Sequence, residues 1–257
     1  MTIYHQGTVR AARKLPISKA ELEARVQLAA CYRIFNHLGW TEMIFNHITL
    51  RVAGPERFFL INPFGLHYSE ITASSLVLID IEGNPVRESK WPVNRAGFVI
   101  HSTLHGSIPD VNCVMHTHTT TGMAVACLKE GLSPTNFYAA QLYGGIAYHD
   151  FEGITVEDAE RERLVASIGD KRAVILRNHG LLAWGPSVAE AYMTLWTLQR
   201  ACDVQIAAGS AGTLNPIRSE VFAQTVRESG PGEKRTCEDV FTAMQRIVDA
   251  KDRSYRD

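Results

Sequence analysis

AVILRNHGLLAWG, residues 173–185, is the segment that decides the fold class of this chain. Two apolar runs of strand length flank Asn178-His179-Gly180, and polar residues with glycine between such runs are typical of a tight turn. A connection this short joins antiparallel strands, because a parallel crossover needs about a dozen residues or more. The segment therefore predicts a hairpin within a largely antiparallel sheet.

Strand and helix patterns alternate on both sides of this hairpin. VNCVMHTHT (111–119) predicts a buried strand because apolar and β-branched residues dominate it. This mixture indicates an α/β or α+β fold in which helices cover the sheet. Further strands are predicted at 48–52 and 57–62 around Gly54-Pro55, at 74–86 around Gly83-Asn84, and at 145–151; helices are predicted at about 18–37, 96–106, 119–129, 156–168, 187–208 and 237–251.

Chain length favours one domain, because 257 residues can bury one sizeable core. Composition turns polar after Gly209, and Gly230-Pro231-Gly232 marks a break. We therefore expect an N-terminal arm at 1–17, a main domain at 18–209, and a C-terminal helix and tail at 210–257.

Charge and cysteine usage exclude several classes of protein. The 26 basic and 27 acidic residues give a net charge of -1, without the excess of cations that nucleic acid or an anionic membrane favours. No apolar run approaches the ~18 residues of a membrane helix, and no secretory signal is evident at the N-terminus. The five cysteines are scattered without a CxxC pair. We expect a cytoplasmic protein with a small-molecule substrate and neither nucleic-acid nor membrane partners.

Three histidines are candidates for a metal site. His116 and His118 lie two residues apart on a predicted strand, so both imidazoles leave the same face. His179 lies in a tight turn, where a polar residue between two apolar strands has no packing role. Three histidines and an open position form the ligand set of some catalytic zinc sites. The alternative for the H-x-H pair is two structural histidines.

Three longer motifs resemble the class II aldolase/adducin family, and especially its adducin-like branch. They lie at 94–132 (NRAGFVIHSTLHGSIPDVNCVMHTHTTTGMAVACLKEGL), 145–153 (GIAYHDFEG) and 174–192 (VILRNHGLLAWGPSVAEAY), and the similarity spans roughly residues 20–210. This resemblance implies that the three histidines bind a divalent metal, with zinc favoured and manganese, cobalt or magnesium as alternatives. It also implies a three-layer α/β/α fold and a homotetramer with active sites between subunits.

The chain departs from the family's sugar-phosphate aldolases at two places. Those enzymes carry an acidic residue where this chain has Gly97, and they bind phosphate through small hydroxyl residues and glycines. The corresponding stretches here are 45–47, 62–65 and 94–96, so a phosphorylated sugar is not favoured. By position in these stretches, we expect the substrate contacts to include Asn46, His47, Gly65 and Asn94.

Two tyrosines and an arginine complete the candidate site. By the resemblance, Tyr138 is the proton donor of catalysis, and the tail residue Tyr255 reaches an active site. Removal of the residues after Arg253 should then reduce activity more than stability. Arg177 is a candidate for binding a substrate carboxylate. The alternatives are a packed aromatic for Tyr138, a disordered end for Tyr255 and a structural ion pair for Arg177.

The predicted activity is that of a metal-dependent lyase. It would act on a hydroxy- or keto-acid or a sugar-derived acid, by decarboxylation or by retro-aldol cleavage through a stabilised enediolate. Decarboxylation is favoured, because the leaving carboxylate supplies the electrons and no base is needed at Gly97. The alternatives are a metal-dependent epimerase and a non-catalytic interaction domain like the head of adducin.

Overall fold

The structure, a computed structural model, describes residues 16–153, 158–229 and 233–257. Most of the predicted arm, the predicted start of the helix at 156 and the break at 230–232 lie outside the described residues. Within them the chain forms seven strands: β1 Ile48–Arg51, β2 Phe59–Ile61, β3 Val77–Ile79, β4 Cys113–Thr117, β5 Ile146–His149, β6 Ala173–Leu176 and β7 Gly180–Gly185.

Eight α-helices are present in the described ranges, and two 3₁₀ turns accompany them at Tyr68–Glu70 and Ser254–Arg256. Among the described helices, none combines the length and apolar character needed to cross a bilayer. The α-helices are α1 Lys19–Leu38, α2 Arg95–Ser107, α3 Thr120–Ala126, α4 Phe137–Gln141, α5 Asp158–Ile168, α6 Val188–Ala211, α7 Ser219–Ser229 and α8 Lys234–Lys251.

The strands form one sheet in the order β3-β2-β1-β4-β7-β6-β5. Every pair is antiparallel except β5–β6, where α5 provides the crossover that a parallel pair requires. The predicted hairpin of 173–185 is confirmed as β6–β7, and β4 pairs with β7 along its whole length. This pairing places the end of β4 beside the turn that carries His179.

Helices cover both faces of the sheet, so the predicted layered α/β fold is confirmed. One face packs against α1, α6 and α8, and the opposite face packs against α2 and α5. Side chains of β4 alternate between these layers, with Met115 in the first core and Val114 in the second. By the same alternation His116 shares the face of Val114, beneath α2.

Several predicted elements differ in the structure. The second strand predicted after Gly83 is reduced to a single bridge between Ile79 and Pro85. Helix α3 ends at Ala126 rather than near 129, while α4 and α7 were not predicted. The C-terminal segment packs into the main core through α8 and the tail, to which it contributes Phe241, Val248 and Tyr255.

Candidate metal centre

The pairing of β4 with β7 brings the three predicted histidines together. The ring nitrogens of His116, His118 and His179 that could bind an ion all lie within 4.8 Å of one another. Nε2 of His116 is 2.7 Å from Nε2 of His118. His116 is buried, whereas His118 and His179 are half-buried, so the cluster remains accessible from one side.

The turn between β6 and β7 has the geometry that the sequence Asn178-His179-Gly180 allows. Asn178 has φ 57°, in the left-handed region that asparagine tolerates better than most residues, and its N–H donates to the carbonyl of Ala126. A Cβ on Gly180 would lie 2.4 Å from the carbonyl oxygen of Thr117 and 3.0 Å from Cδ2 of His118. Glycine therefore allows the turn to close against β4.

The hydrogen bond of His116 fixes which of its nitrogens can bind a cation. Nδ1 lies 2.9 Å from the carbonyl oxygen of Leu181. A carbonyl only accepts, so Nδ1 donates its hydrogen and Nε2 keeps a lone pair in the neutral ring. Metal-binding histidines are commonly oriented by such a bond from the other ring nitrogen.

Burial keeps the three imidazoles in the form that binds metal ions. It lowers the pKa of His116 well below the usual range, and the nearby His118 and His179 add to the effect. Burial and His118 lower the pKa of His179 to about 4, and burial also lowers the pKa of His118. The three imidazoles are therefore neutral near pH 7 and can bind a metal ion without first losing a proton. A set of three nitrogen ligands fits a zinc-like cation.

A second histidine cluster lies beside the first. The ring of His47 is 5.7 Å from that of His116, and its Nδ1 is 2.9 Å from Nε2 of His101. Nδ1 of His101 and Nε2 of His105 both lie 2.8 Å from Oγ1 of Thr49. Burial, together with His118 and His179, lowers the pKa of His47 to about 3.

The other predicted substrate residues have different environments. Asn46 is buried, and its Oδ1 has no hydrogen-bond partner among the described residues. Asn94 caps α2 by accepting from the N–H of Gly97 at 3.5 Å. Gly65 has φ 107°, which favours glycine at that turn.

Arg177 has structural contacts instead of an open guanidinium. It donates to the carbonyls of Leu128 and Lys129, lies 3.5 Å from the carboxylate of Asp150, and stacks on the ring of Tyr148 at 4.6 Å. These contacts agree with the structural alternative, and the role of Arg177 in binding a substrate carboxylate stays a prediction.

Neither predicted catalytic tyrosine contacts the histidines within the described part of the chain. The ring of Tyr138 packs edge-on against Trp196 and lies 5.6 Å from the guanidinium of Arg200. Tyr255 is fully buried, and its hydroxyl donates to Asp249 at 2.6 Å. The structure thus gives Tyr255 a core position, neither a disordered end nor a hydroxyl free to reach a site.

Two features near the centre were not recognised as site components in the sequence. The ring of Phe151 faces that of His179 edge-on, with centroids 6.0 Å apart. Thr49 links His101 and His105, whose i, i+4 spacing is visible in the sequence but whose common partner lies on a distant strand. Nδ1 of His149 lies 3.0 Å from Oγ of Ser167.

Comparison with known families and proteins agrees with this architecture. Residues 26–206 match the family described as Class II Aldolase and Adducin N-terminal domain. A Caulobacter vibrioides protein named "Putative aldolase class 2 protein" is 46% identical over 208 residues, 81% of each chain. Alpha-adducin of Rattus norvegicus is 39% identical over 229 residues, which are 87% of this chain and 31% of the adducin.

Two solved structures are similar over nearly the whole chain. An aldolase II superfamily protein from Pseudomonas syringae has a TM-score of 0.89 and 44% identity, covering 94% of this chain and 98% of that one. L-fuculose 1-phosphate aldolase from Glaciozyma antarctica has a TM-score of 0.82 and 28% identity, covering 95% of this chain and 97% of that one.

Proposed function

The chain belongs to the class II aldolase and adducin N-terminal domain family, and from this premise we propose that it is a divalent-metal-dependent carbon–carbon lyase. The observation that carries the proposal is the convergence of His116, His118 and His179 on one point, with an open side. Such a ligand set favours zinc, with manganese or cobalt as alternatives. Magnesium fits less well, because it prefers oxygen ligands.

A bound cation would supply Lewis acidity towards two oxygens of the substrate. Two residues of β7 orient the histidines that would bind the cation. The carbonyl of Leu181 fixes the ring of His116, and Gly180 allows His179 to approach β4. Oδ1 of Asn46 is a buried acceptor that a substrate hydroxyl would satisfy. These contacts support a small polar substrate.

We propose a hydroxy- or keto-acid, or a sugar-derived acid, as the substrate class. The candidate metal cluster contains no carboxylate among the described residues. Retro-aldol cleavage begins with removal of a hydroxyl proton, whereas decarboxylation takes its electrons from the leaving carboxylate. Decarboxylation is therefore the favoured reaction. The phosphate named in the Glaciozyma antarctica relative is not carried over, because the stretches 45–47, 62–65 and 94–96 lack serine and threonine.

Metal content and product release test this function together. The protein reconstituted with zinc, manganese or cobalt should hold about one ion per chain by elemental analysis. The His179→Ala variant should bind the ion more weakly, while His149→Ala serves as a control with its histidine outside the cluster. A panel of hydroxy- and keto-acids should then yield carbon dioxide, or an aldehyde. Absence of bound metal would instead favour the interaction-domain alternative, which the adducin relatives represent.

We also propose that the chain forms a homo-oligomer, a tetramer by its resemblance to the family. Large apolar side chains are exposed on segments near the centre, including Phe45, which is 47% exposed, and Phe151, which is 54% exposed. Contacts between subunits would cover such side chains in an oligomer. Light scattering at micromolar concentration should give a multiple of the chain mass, and a monomer mass would contradict the proposal.

A further inference from the structure

A chain of hydrogen bonds connects His47 to a backbone carbonyl that follows the C-terminal end of α2. Proceeding from His47, it passes through His101, Oγ1 of Thr49 and His105, and it ends at the carbonyl oxygen of Val111, 3.0 Å from Nδ1 of His105. The four side chains are at most 4% exposed. Burial lowers the pKa of His101 well below its usual range and that of His105 to about 4, so these imidazoles are neutral near pH 7.

The carbonyl at the end of this chain determines the direction of every bond in it. Because the oxygen of Val111 only accepts, Nδ1 of His105 carries the hydrogen and its Nε2 is an acceptor. The single hydroxyl hydrogen of Thr49 is then donated to His105, and its oxygen accepts from Nδ1 of His101.

The same reasoning gives the direction of the hydrogen bond between His101 and His47. With its hydrogen on Nδ1, neutral His101 has a bare Nε2, so Nδ1 of His47 must donate to it. Nε2 of His47 consequently carries a lone pair and no hydrogen. This chain of hydrogen bonds also cannot carry a proton away from His47, because the backbone carbonyl at its end does not accept a proton. It therefore fixes His47 as a neutral acceptor.

The position of that acceptor is linked to Gly97. An ideal Cβ on Gly97 would lie 1.9 Å from Nε2 of His47 and 2.1 Å from its Cδ2. The imidazole of His47 thus occupies the space that the Cβ of any other residue at position 97 would need. Its ring also lies beside that of His116 in the candidate metal centre.

We infer that His47 takes the place of a side chain at position 97 and accepts a hydrogen bond from a substrate hydroxyl through its bare Nε2. Thr49 is a positioning residue, which acts on the site only by fixing the tautomers of His101 and His47. No proton is transferred in this role, so the substrate hydroxyl is oriented and not deprotonated by His47. The substrate part of this inference rests on the proposed function, whereas the tautomer part does not.

The tautomer can be measured without metal or substrate. Long-range ¹H–¹⁵N spectra of the metal-free full chain, with ¹⁵N-labelled histidine, distinguish bare from protonated ring nitrogens. Signals of His47 are assigned by their loss in His47→Gln. We expect a protonated Nδ1 and a bare Nε2. A hydrogen on Nε2 of His47 would overturn the inference, even if the protein proves to be a metal-dependent lyase.

Variants of Thr49 test whether the chain of bonds controls the site. Thr49→Val is nearly isosteric but removes the hydroxyl, whereas Thr49→Ser retains it as the matched control. The valine variant should lose the fixed tautomer of His47 and, on the substrate that the panel identifies, lower kcat/KM roughly 10- to 100-fold. The serine variant should keep both properties, and metal content should be equal in the two. If His47 has the same tautomer in both variants and their kcat/KM values are equal, Thr49 does not position His47 and this part of the inference is wrong.

Two glycines of α2 provide a further matched pair. Gly97→Ala places a methyl group on the ring of His47, whereas a Cβ on Gly106 meets nothing within 4 Å. We expect Gly97→Ala to displace His47 from His101, with altered ¹⁵N signals for both rings, and Gly106→Ala to leave them unchanged. Unchanged signals in Gly97→Ala would contradict the inference that the ring of His47 occupies the space of a side chain at position 97.

Discussion

Gly180 shapes the candidate metal centre because it follows the candidate ligand His179 and faces the end of β4. A methyl group there would lie 2.4 Å from the backbone oxygen of Thr117, which the β4–β7 pairing holds in place. We expect Gly180→Ala to reduce stability by about 1–3 kcal/mol, as overpacking does, and to weaken metal binding. Thermal unfolding and calorimetric titration measure the two effects, with Gly209→Ala, where nothing lies within 4 Å, as control. Parental metal affinity in Gly180→Ala would contradict this account of the turn.

The role of Tyr138 in proton donation stays a prediction. Its ring packs against Trp196, and phenylalanine would keep that packing. If the hydroxyl donates the proton in catalysis, Tyr138→Phe should lower kcat by about 10²–10⁴-fold at unchanged metal content and melting temperature. Tyr143→Phe is a suitable control, because Tyr143 stacks on Phe222 of α7. More than about a third of parental turnover in Tyr138→Phe would remove this residue from the mechanism.

Sequence predicted the three candidate ligands because their signals are local. His116 and His118 share a strand face by spacing alone, and His179 is a polar residue in an apolar hairpin. The function of Gly97 is visible only in three dimensions, since the group that fills its place comes from His47, about fifty residues earlier. Long-range contacts of this kind have no periodic signature in one sequence.

Helix α1 illustrates how one element is anchored by a buried ion pair. Glu21, 3% exposed, binds Arg25 at 2.8 Å and also binds Arg87, while Arg25 donates to the carbonyls of Ala73 and Leu76. Burial raises the pKa of Glu21, but its hydrogen bonds to the two arginines outweigh this effect and leave the pKa lowered.

Removal of this carboxylate should be costly. We expect Glu21→Gln to lower the free energy of unfolding by about 3–5 kcal/mol, because it leaves buried cations without a counter-charge. Glu23→Gln is a matched control on the same helix, since the ion pair of Glu23 with Lys19 is exposed. Denaturant titration of both variants provides the measurement, and a loss below about 1 kcal/mol for Glu21→Gln would show that the pair is not coupled to α1.

Elements with strong local signals were predicted well, whereas α4 and α7 were not. Ser18 caps α1 by accepting from the N–H of Glu21, and Gly39 ends the helix at φ 74°, as their residue types predict. The five-residue α4 is too short to establish a helical period. The parallel pairing of β5 with β6 depends on a crossover whose destination the sequence does not indicate.

The tail belongs to the folded core of the whole molecule. Tyr255 is buried against α1 and α8, and its carbonyl accepts from the N–H of Ala73. Deletion of the residues after Arg253 should therefore lower stability by about 3–5 kcal/mol, as loss of a buried aromatic does, which reverses the expectation from sequence. Tyr255→Phe, which loses only the bond to Asp249, should cost about 1 kcal/mol. A truncated protein with parental unfolding free energy would contradict this position.

Buried neutral histidines also determine how the stability of the whole molecule depends on pH. His47, His101, His105 and His116 are all at most 4% exposed, and burial lowers the pKa of each below 6.5, to about 3 for His47 and about 4 for His105. The unfolded chain takes up protons as pH falls through about 6.5, whereas the folded chain does not until the lowered values are reached. Stability is therefore complete above about 6.5 and is lost as pH falls towards about 4.

The slope of the unfolding free energy against pH depends on the number of histidines involved. Each buried ring contributes up to about 1.4 kcal/mol per pH unit, so the unfolding free energy of the metal-free protein should fall steeply between about pH 6.5 and 5. Denaturant titrations in the presence of a chelator measure this slope, and His105→Gln should reduce it by about one proton. Since carboxylates titrate mainly at lower pH, a stability that does not change across this window would mean that the four rings titrate in the folded chain as they do in the unfolded one. Such a result would also restrict the neutral acceptor of His47 to pH values above about 6.5, because an imidazolium ring has no bare Nε2 to offer.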